Sequence, residues 1–164
     1  MLMTRVTHPF EPLFDEDSQI LILGSFPSIV SREVNFYYGH KSNRFWKVMA
    51  LVLDHPFVET IEEKKKMLLE HRLALWDVIE SCQIKASSDS SIKDVKVNDI
   101  NSIITKSKID RIACNGDKAY KLYERYIYPN IGIKAIRLPS TSSANASYSL
   151  ERLVEEYKNF INLE

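Results

Sequence analysis

The 164-residue sequence predicts an α/β fold, a three-layer α/β/α sandwich around a four-stranded, mostly parallel sheet, in a single domain spanning 1–164. Two observations predict it. Short, continuous apolar runs recur along the chain, and a run without polar alternation suits a strand covered on both faces. Segments with helical spacing or capping signals separate these runs, and strands alternating with helices build parallel sheets. At 45% hydrophobic residues, a chain of this length buries roughly two-thirds of its unfolded surface.

The first strand is "QILIL" at 19–23. Ser42 then caps a helix from Asn43 to about Leu53, and Thr60 with Glu63 forms a capping box for a helix running to about His71. "LALW" at 73–76 is the second strand, Asn98 caps a helix through about Ser107, and "IDRIAC" at 109–114 is the third strand. "DKAYKLYERY" follows as a helix and "IKAIRL" at 133–138 as the fourth strand. Leu150, Leu153, Val154, Tyr157, Phe160 and Ile161 keep helical spacing on a closing helix. There is no internal repeat, and the Ser-rich "KASSDSSIKD" is too short to divide domains.

The formal net charge is zero, so a polyanion partner would have to be met by a local asymmetry. One runs from Ser102 to Arg137, where Lys106, Lys108, Arg111, Lys118, Lys121, Arg125, Lys134 and Arg137 face only Asp110, Asp117 and Glu124; a solvated helix surface explains it equally well. Cys82 and Cys114 lack CxxC or His spacing, which argues against a disulfide framework or a zinc site, and no His/Cys/Asp cluster has metal-ligand spacing. No apolar run approaches the roughly 20 residues of a membrane span and no basic-then-apolar leader is seen, so the cytoplasm is the expected compartment, with nucleoid association in a prokaryote.

In open α/β sheets ligands bind beyond the carboxyl ends of the strands, which directs attention to "GSFPS" at 24–28, "NGDKA" at 115–119 and "LPSTSSANAS" at 138–147. Gly24 and Gly116 stand just past strands, where a missing Cβ serves a sharp turn or the approach of a ligand. The aromatic loop "NFYYGHKSNRFWKVM", Asn35 to Met49, completes the group.

Taken in order, "GSFPS", "YYGHKSNRFWKV", "LWDVI" with "SSDSSI", "NGDKA" and "LPSTSSAN" resemble the uracil-DNA glycosylase superfamily. Within it they are similar to the hypoxanthine (deoxyinosine) DNA glycosylase branch, with the mismatch-specific uracil/thymine glycosylases as near relatives. The likeness runs from about Gln19 to Leu163. It implies an enzyme that flips a deaminated nucleotide out of double-stranded DNA and hydrolyses its N-glycosidic bond as a monomer, without a cofactor. It also implies a monofunctional enzyme, because Lys41 and Lys118 do not stand where the family uses an amine nucleophile.

The resemblance assigns roles by position. Tyr38 stacks on the extruded base, with loop packing as its other reading, and Tyr37 packs the loop. Phe26 and Leu138 stand where most of the superfamily places its Asp or Asn and its His or Asn, which leaves Asn43 as the principal catalytic side chain. An amide has no useful proton affinity, so Asn43 orients a water or donates to the base edge; Asn is equally a preferred helix cap, a role Ser42 can also fill. Gly24, Ser25, Phe26, Pro27, His40 and Asn115 complete the implied base pocket, His40 also reading as a loop histidine satisfied by backbone and Asn115 as a turn residue. Ser88 and Asp89 border it. Ser31, Ser140, Thr141, Ser142, Ser143 and Asn145 are the implied DNA contacts, although an ordinary Ser/Thr turn accounts for the last loop too, and Ser142 and Ser143 are too small to act as a wedge. A uracil- or mismatch-directed glycosylase, a catalytically silent damage-binding module and a small-molecule-binding α/β domain remain open alternatives.

Overall fold

The computed structural model describes residues 4–162, with Asp89 described by its backbone only. Four parallel strands form the central sheet: β2 (Ile20–Gly24), β3 (Leu73–Asp77), β6 (Arg111–Asn115) and β7 (Ala135–Leu138), in the order β3-β2-β6-β7. Every residue of β2 is buried, because the sheet is covered on both faces. Ile20 and Ile22 face one layer and Leu21 and Leu23 the other. The first layer holds α2 (Phe45–Val52), α3 (Ile61–Glu70) and α7 (Leu150–Ile161), contributing Phe45, Met49, Met67, Leu68, Leu153 and Tyr157. The opposite layer holds α4 (Ile100–Thr105), α5 (Asp117–Leu122) and a π-helical turn over Tyr123–Ile127 that leads into α6 (Tyr128–Ile131). The expected sandwich is therefore the observed one.

The opposite layer also contains a second, antiparallel sheet that the apolar runs did not announce. β1 (Thr4–Thr7), β4 (Ile79–Ile84) and β5 (Lys93–Val97) pair in the order β1-β4-β5, with Cys82 and Ile84 turned to the core. A short helix α1 (Ile29–Val34), capped by Ser28 accepting from the Ser31 N–H, was likewise unforeseen.

Two caps differ from expectation. Ser42 does not cap α2, since its hydroxyl is held by His40 Nδ1 at 2.7 Å; the Phe45 N–H is instead taken by Asn43 Oδ1 at 2.9 Å. Asn98 does not cap α4 either. Its buried amide donates to the carbonyls of Asp77 at 2.8 Å and Ile79 at 3.2 Å, tying the end of β5 to the β3–β4 junction, and Asp99 stands at the cap position. The Thr60–Glu63 capping box is present in both directions. Among the described residues no helix is long and apolar enough to cross a membrane.

Candidate active site

Parallel strands present all their carboxyl ends at one edge of the sheet, so the residues ending β2, β3, β6 and β7 are brought together: Gly24, Asp77, Asn115 and Leu138. Over this edge lies a cavity of about 560 Å³. Its lining includes Gly24, Ser25, Phe26, Pro27, Ser31, Tyr38, His40, Asn43, Asn115, Ser140, Thr141, Ser142 and Ser143, along with Ser88. Asn145 is not in its wall. It lies in an adjoining depression, where its amide donates to the Ser140 carbonyl at 3.0 Å and closes the loop on itself.

Asn43 sits one residue before the α2 cap position, where its geometry determines which end of the amide is which. Oδ1 accepts from the Phe45 backbone N–H at 2.9 Å and from the Thr141 hydroxyl at 2.8 Å. A backbone N–H can only donate, so the oxygen must face it. Nδ2 makes no hydrogen bond with any described residue and is the end left for a ligand. With its acceptor occupied twice, Asn43 can act in the cavity only as a donor.

Thr141, expected to touch DNA, is completely buried. It is the joint of the site: its N–H donates to Asn115 Oδ1, its hydroxyl accepts from Asn115 Nδ2, both at 3.0 Å, and that hydroxyl donates onward to Asn43. Asn115 thus spends one N–H and one lone pair of its amide on the loop, which fixes the amide's orientation in the cavity wall and leaves the second N–H of Nδ2 unused by these contacts. Ser31 is buried as well, its hydroxyl receiving the Gly39 N–H at 2.8 Å and fastening the aromatic loop to α1.

Arg44, unmarked in the sequence, holds the outer loop. Its guanidinium donates to the carbonyls of Tyr148 at 2.6 Å and of Ser142 and Asn145 at 3.1 Å, while its own N–H reaches the Thr141 carbonyl. Ser143 and His40 are exposed at the rim, where Ser42 links them through 3.0 and 2.7 Å contacts. Because the Ser42 N–H also donates to His40 Nδ1, the ring proton belongs on Nε2, which becomes an outward donor.

The tyrosines separate as expected by burial. Tyr37 is 2% exposed and donates its hydroxyl to the Glu11 carbonyl; burial, and then the nearby Asp77, push its phenol well above the ordinary range. Tyr38 is half-buried in the cavity wall with its ring stacked on Phe45, centroids 4.1 Å apart and planes at 22°. Its φ of 53° is a left-handed conformation uncommon for a bulky side chain, the sort of local strain that accumulates at functional sites.

Sequence reasoning missed Asp77. Its carboxylate lies in the cavity lining against Gly24, where any Cβ would collide with Oδ1, and His8 Nε2 meets its Oδ2 at 2.7 Å. An Asp closing an apolar run was the available signal, but nothing in the sequence linked it to a histidine 69 positions earlier.

The basic stretch between residues 102 and 137 is partly neutralised. Lys121 and Arg137 both pair with Asp117, and Lys108 pairs with Asp17.

Comparison with known proteins agrees with this arrangement. Residues 11–162 match the family model of the uracil DNA glycosylase superfamily. A protein of Methanosarcina acetivorans named hypoxanthine DNA glycosylase is 36% identical over 145 residues, covering 87% of this chain and 90% of the relative. A protein of the same name from Methanosarcina barkeri is 30% identical over 138 residues, covering 83% and 86%. A solution NMR structure from M. acetivorans, whose description offers uracil DNA glycosylase as the candidate identity, superposes with a TM-score of 0.80 at 34% identity over 93% of this chain and 94% of that one. With the cavity at the carboxyl edge and a match that takes in the residues lining it, the chain belongs to the uracil DNA glycosylase superfamily.

Proposed function

We propose that the protein is a monofunctional DNA glycosylase that accepts a deaminated base, foremost hypoxanthine, flipped from double-stranded DNA, and that it works as a monomer. The observation that carries this reading is the locked amide of Asn43, whose open Nδ2 borders a cavity large enough for a purine. The names of the relatives support the choice of hypoxanthine.

The chemistry follows from what the cavity holds. Extruding a nucleotide costs a few kcal/mol, least for a mispaired base, and stacking on an aromatic ring returns about 1–3 kcal/mol. Tyr38, backed by Phe45, is the ring in place. Cleavage of the C1′–N bond leaves its electron pair on the departing base and positive character on the sugar, which water then attacks. A fixed Nδ2–H donor stabilises the charge gathering on the base, and it does so without reorganising during the reaction. DNA phosphates stabilise the sugar cation.

Single-turnover excision on duplexes carrying deoxyinosine, deoxyuridine, deoxyxanthosine or a T·G mispair tests the reading. Deoxyinosine should react fastest, leaving an abasic site with the strand intact. Absence of excision on all four duplexes would overturn the proposal, and a covalent adduct trapped by borohydride would overturn its monofunctional part.

A further inference from the structure

The formal net charge is zero and the cavity lining holds no lysine or arginine, so a cation that meets DNA phosphate has to stand at the rim. The Arg44 guanidinium is spent on three carbonyls of one rim loop. Arg32, on α1, is placed differently. It donates from Nη1 to the Pro27 carbonyl at 3.3 Å and from Nη2 to the Ala86 carbonyl at 3.1 Å, and its guanidinium carbon lies 5.5 Å from the centroid of the Phe26 ring. Phe26 and Pro27 line the cavity, and so do Ser87 and Ser88 just past Ala86. Arg32 therefore ties together two segments of the rim, and the Ile29 N–H donating to Ser87 Oγ at 2.9 Å is a second tie.

The guanidinium is held in place but not neutralised. Arg32 makes no ion pair with a described residue, and its N–H groups other than the two on carbonyls make no hydrogen bond with one. Carbonyl dipoles orient the charge without cancelling it. Partial burial lowers the guanidinium from its ordinary value by desolvation, yet an arginine stays charged at neutral pH. Ala86 takes a left-handed φ of 57°, uncommon for a residue with a Cβ, so the chain bears a local cost at the residue whose carbonyl holds the guanidinium.

We infer that Arg32 is a phosphate anchor, binding one backbone phosphodiester of the DNA strand that delivers a base to the cavity. A flipped nucleotide stays joined to its strand, so with its base inside, the flanking phosphates lie over the rim. A planar guanidinium already fixed by two carbonyls loses little rotamer freedom on meeting a phosphate, and its remaining N–H groups form charge-assisted hydrogen bonds to the phosphate oxygens. Such a contact fixes where the strand lies without reading its sequence. For the path of that strand, the inference rests on the glycosylase reading above.

The test measures binding to a duplex with one deoxyinosine whose 2′-fluoro sugar resists cleavage. Arg32→Gln should weaken binding about tenfold at low salt and reduce the slope of log K against log salt by about 0.9, the share of one phosphate, whereas Arg32→Lys keeps the charge and should retain the wild-type slope. A set of such duplexes, each with one neutral methylphosphonate beside the deoxyinosine on its own strand, locates the contact. At one position neutralisation should cost wild type about tenfold and Arg32→Gln less than about twofold, since each change removes the same pair. A wild-type slope in Arg32→Gln, or equal penalties for both proteins at every position, overturns the inference, and does so without touching the glycosylase reading where deoxyinosine is still excised. Wild-type protein indifferent to neutralisation at every flanking position overturns it too, and that measurement needs no folded variant. Binding requires no bond cleavage, so a slope and a positional penalty lost in Arg32→Gln support the inference even if no duplex is excised, an outcome that would sink the glycosylase reading alone.

Discussion

The Thr141 hydroxyl donates to Asn43 Oδ1 across 2.8 Å, joining the loop after β7 to the start of α2 over 98 positions of sequence. The same hydroxyl accepts from Asn115 at the end of β6, so three segments meet at one buried oxygen. Thr141→Val keeps the shape and removes the hydroxyl, leaving the amides of Asn43 and Asn115 each short of a partner. We expect a loss of about 1–3 kcal/mol in stability by urea denaturation, with single-turnover excision slowed roughly tenfold. Thr141→Ser should retain most of both. Unimpaired excision in a destabilised Thr141→Val would restrict the relay to a structural role.

Asn43→Ala should slow the chemical step by about 100-fold or more and cost on the order of 1 kcal/mol of stability, the worth of a helix cap. The geometry permits a sharper comparison with Asn43→Asp. A carboxylate can still accept from Phe45 and Thr141, so folding should be preserved, but the donor at Nδ2 is gone. Excision by Asn43→Asp should be as slow as by Asn43→Ala. Substantial activity in the carboxylate variant would show that orienting water, not donating to the base, is the contribution.

Removing the Tyr38 ring should weaken binding to DNA containing deoxyinosine by about 1–3 kcal/mol, measured against an undamaged duplex. A loop aromatic that added contact alone would leave the fold indifferent to this change. The stack on Phe45 predicts otherwise: Tyr38→Ala should also lower the melting temperature, whereas Tyr38→Phe should preserve affinity and stability alike. Wild-type affinity in Tyr38→Ala would remove the ring from base recognition.

Alkali should destabilise the protein from about pH 9. Burial raises the Cys114 thiol from an ordinary 9.0 to about 12, and burial likewise raises Tyr37, Tyr123 and Tyr157 above the ordinary phenol range. The folded chain therefore keeps protons that the unfolded chain releases. The Cys114 contribution is fully present below pH 9 and is lost as pH rises toward 12, with a slope approaching about 1.4 kcal/mol per pH unit. Urea midpoints should be level between pH 7 and 8.5 and fall beyond. Cys114→Ala should delay the decline until the tyrosines titrate, and an identical onset in that variant would contradict the assignment.

The central sheet was legible because β2 and β3 carry the runs ILIL and LALW and β6 and β7 the shorter IAC and AI, and the cavity was legible because parallel strands must end together. The antiparallel sheet was not, since β5 has only Val95 and Val97 as apolar residues and half-exposed strands leave a weak pattern. Local capping rules failed where tertiary partners competed: Ser42 went to His40, and Asn98 to the carbonyls of Asp77 and Ile79. Thr141 and Asn115 were recognised as site residues, but their part in building the site depends on contacts 26 positions apart that spacing alone does not encode. His8 gave no local sign of its partner.

The parallel pairing of β2 with both β3 and β6 also bears on when the site comes into existence. Gly24, Asp77 and Asn115 become neighbours only after two long chain closures, each with an entropic cost that short-range contacts do not carry. No hairpin or isolated helix holds a partial version of the cavity, so a nascent or locally opened chain has none of its chemistry. A ligand held there stabilises the whole cooperative unit rather than one loop, and bound base should shift the global unfolding transition without adding a second one.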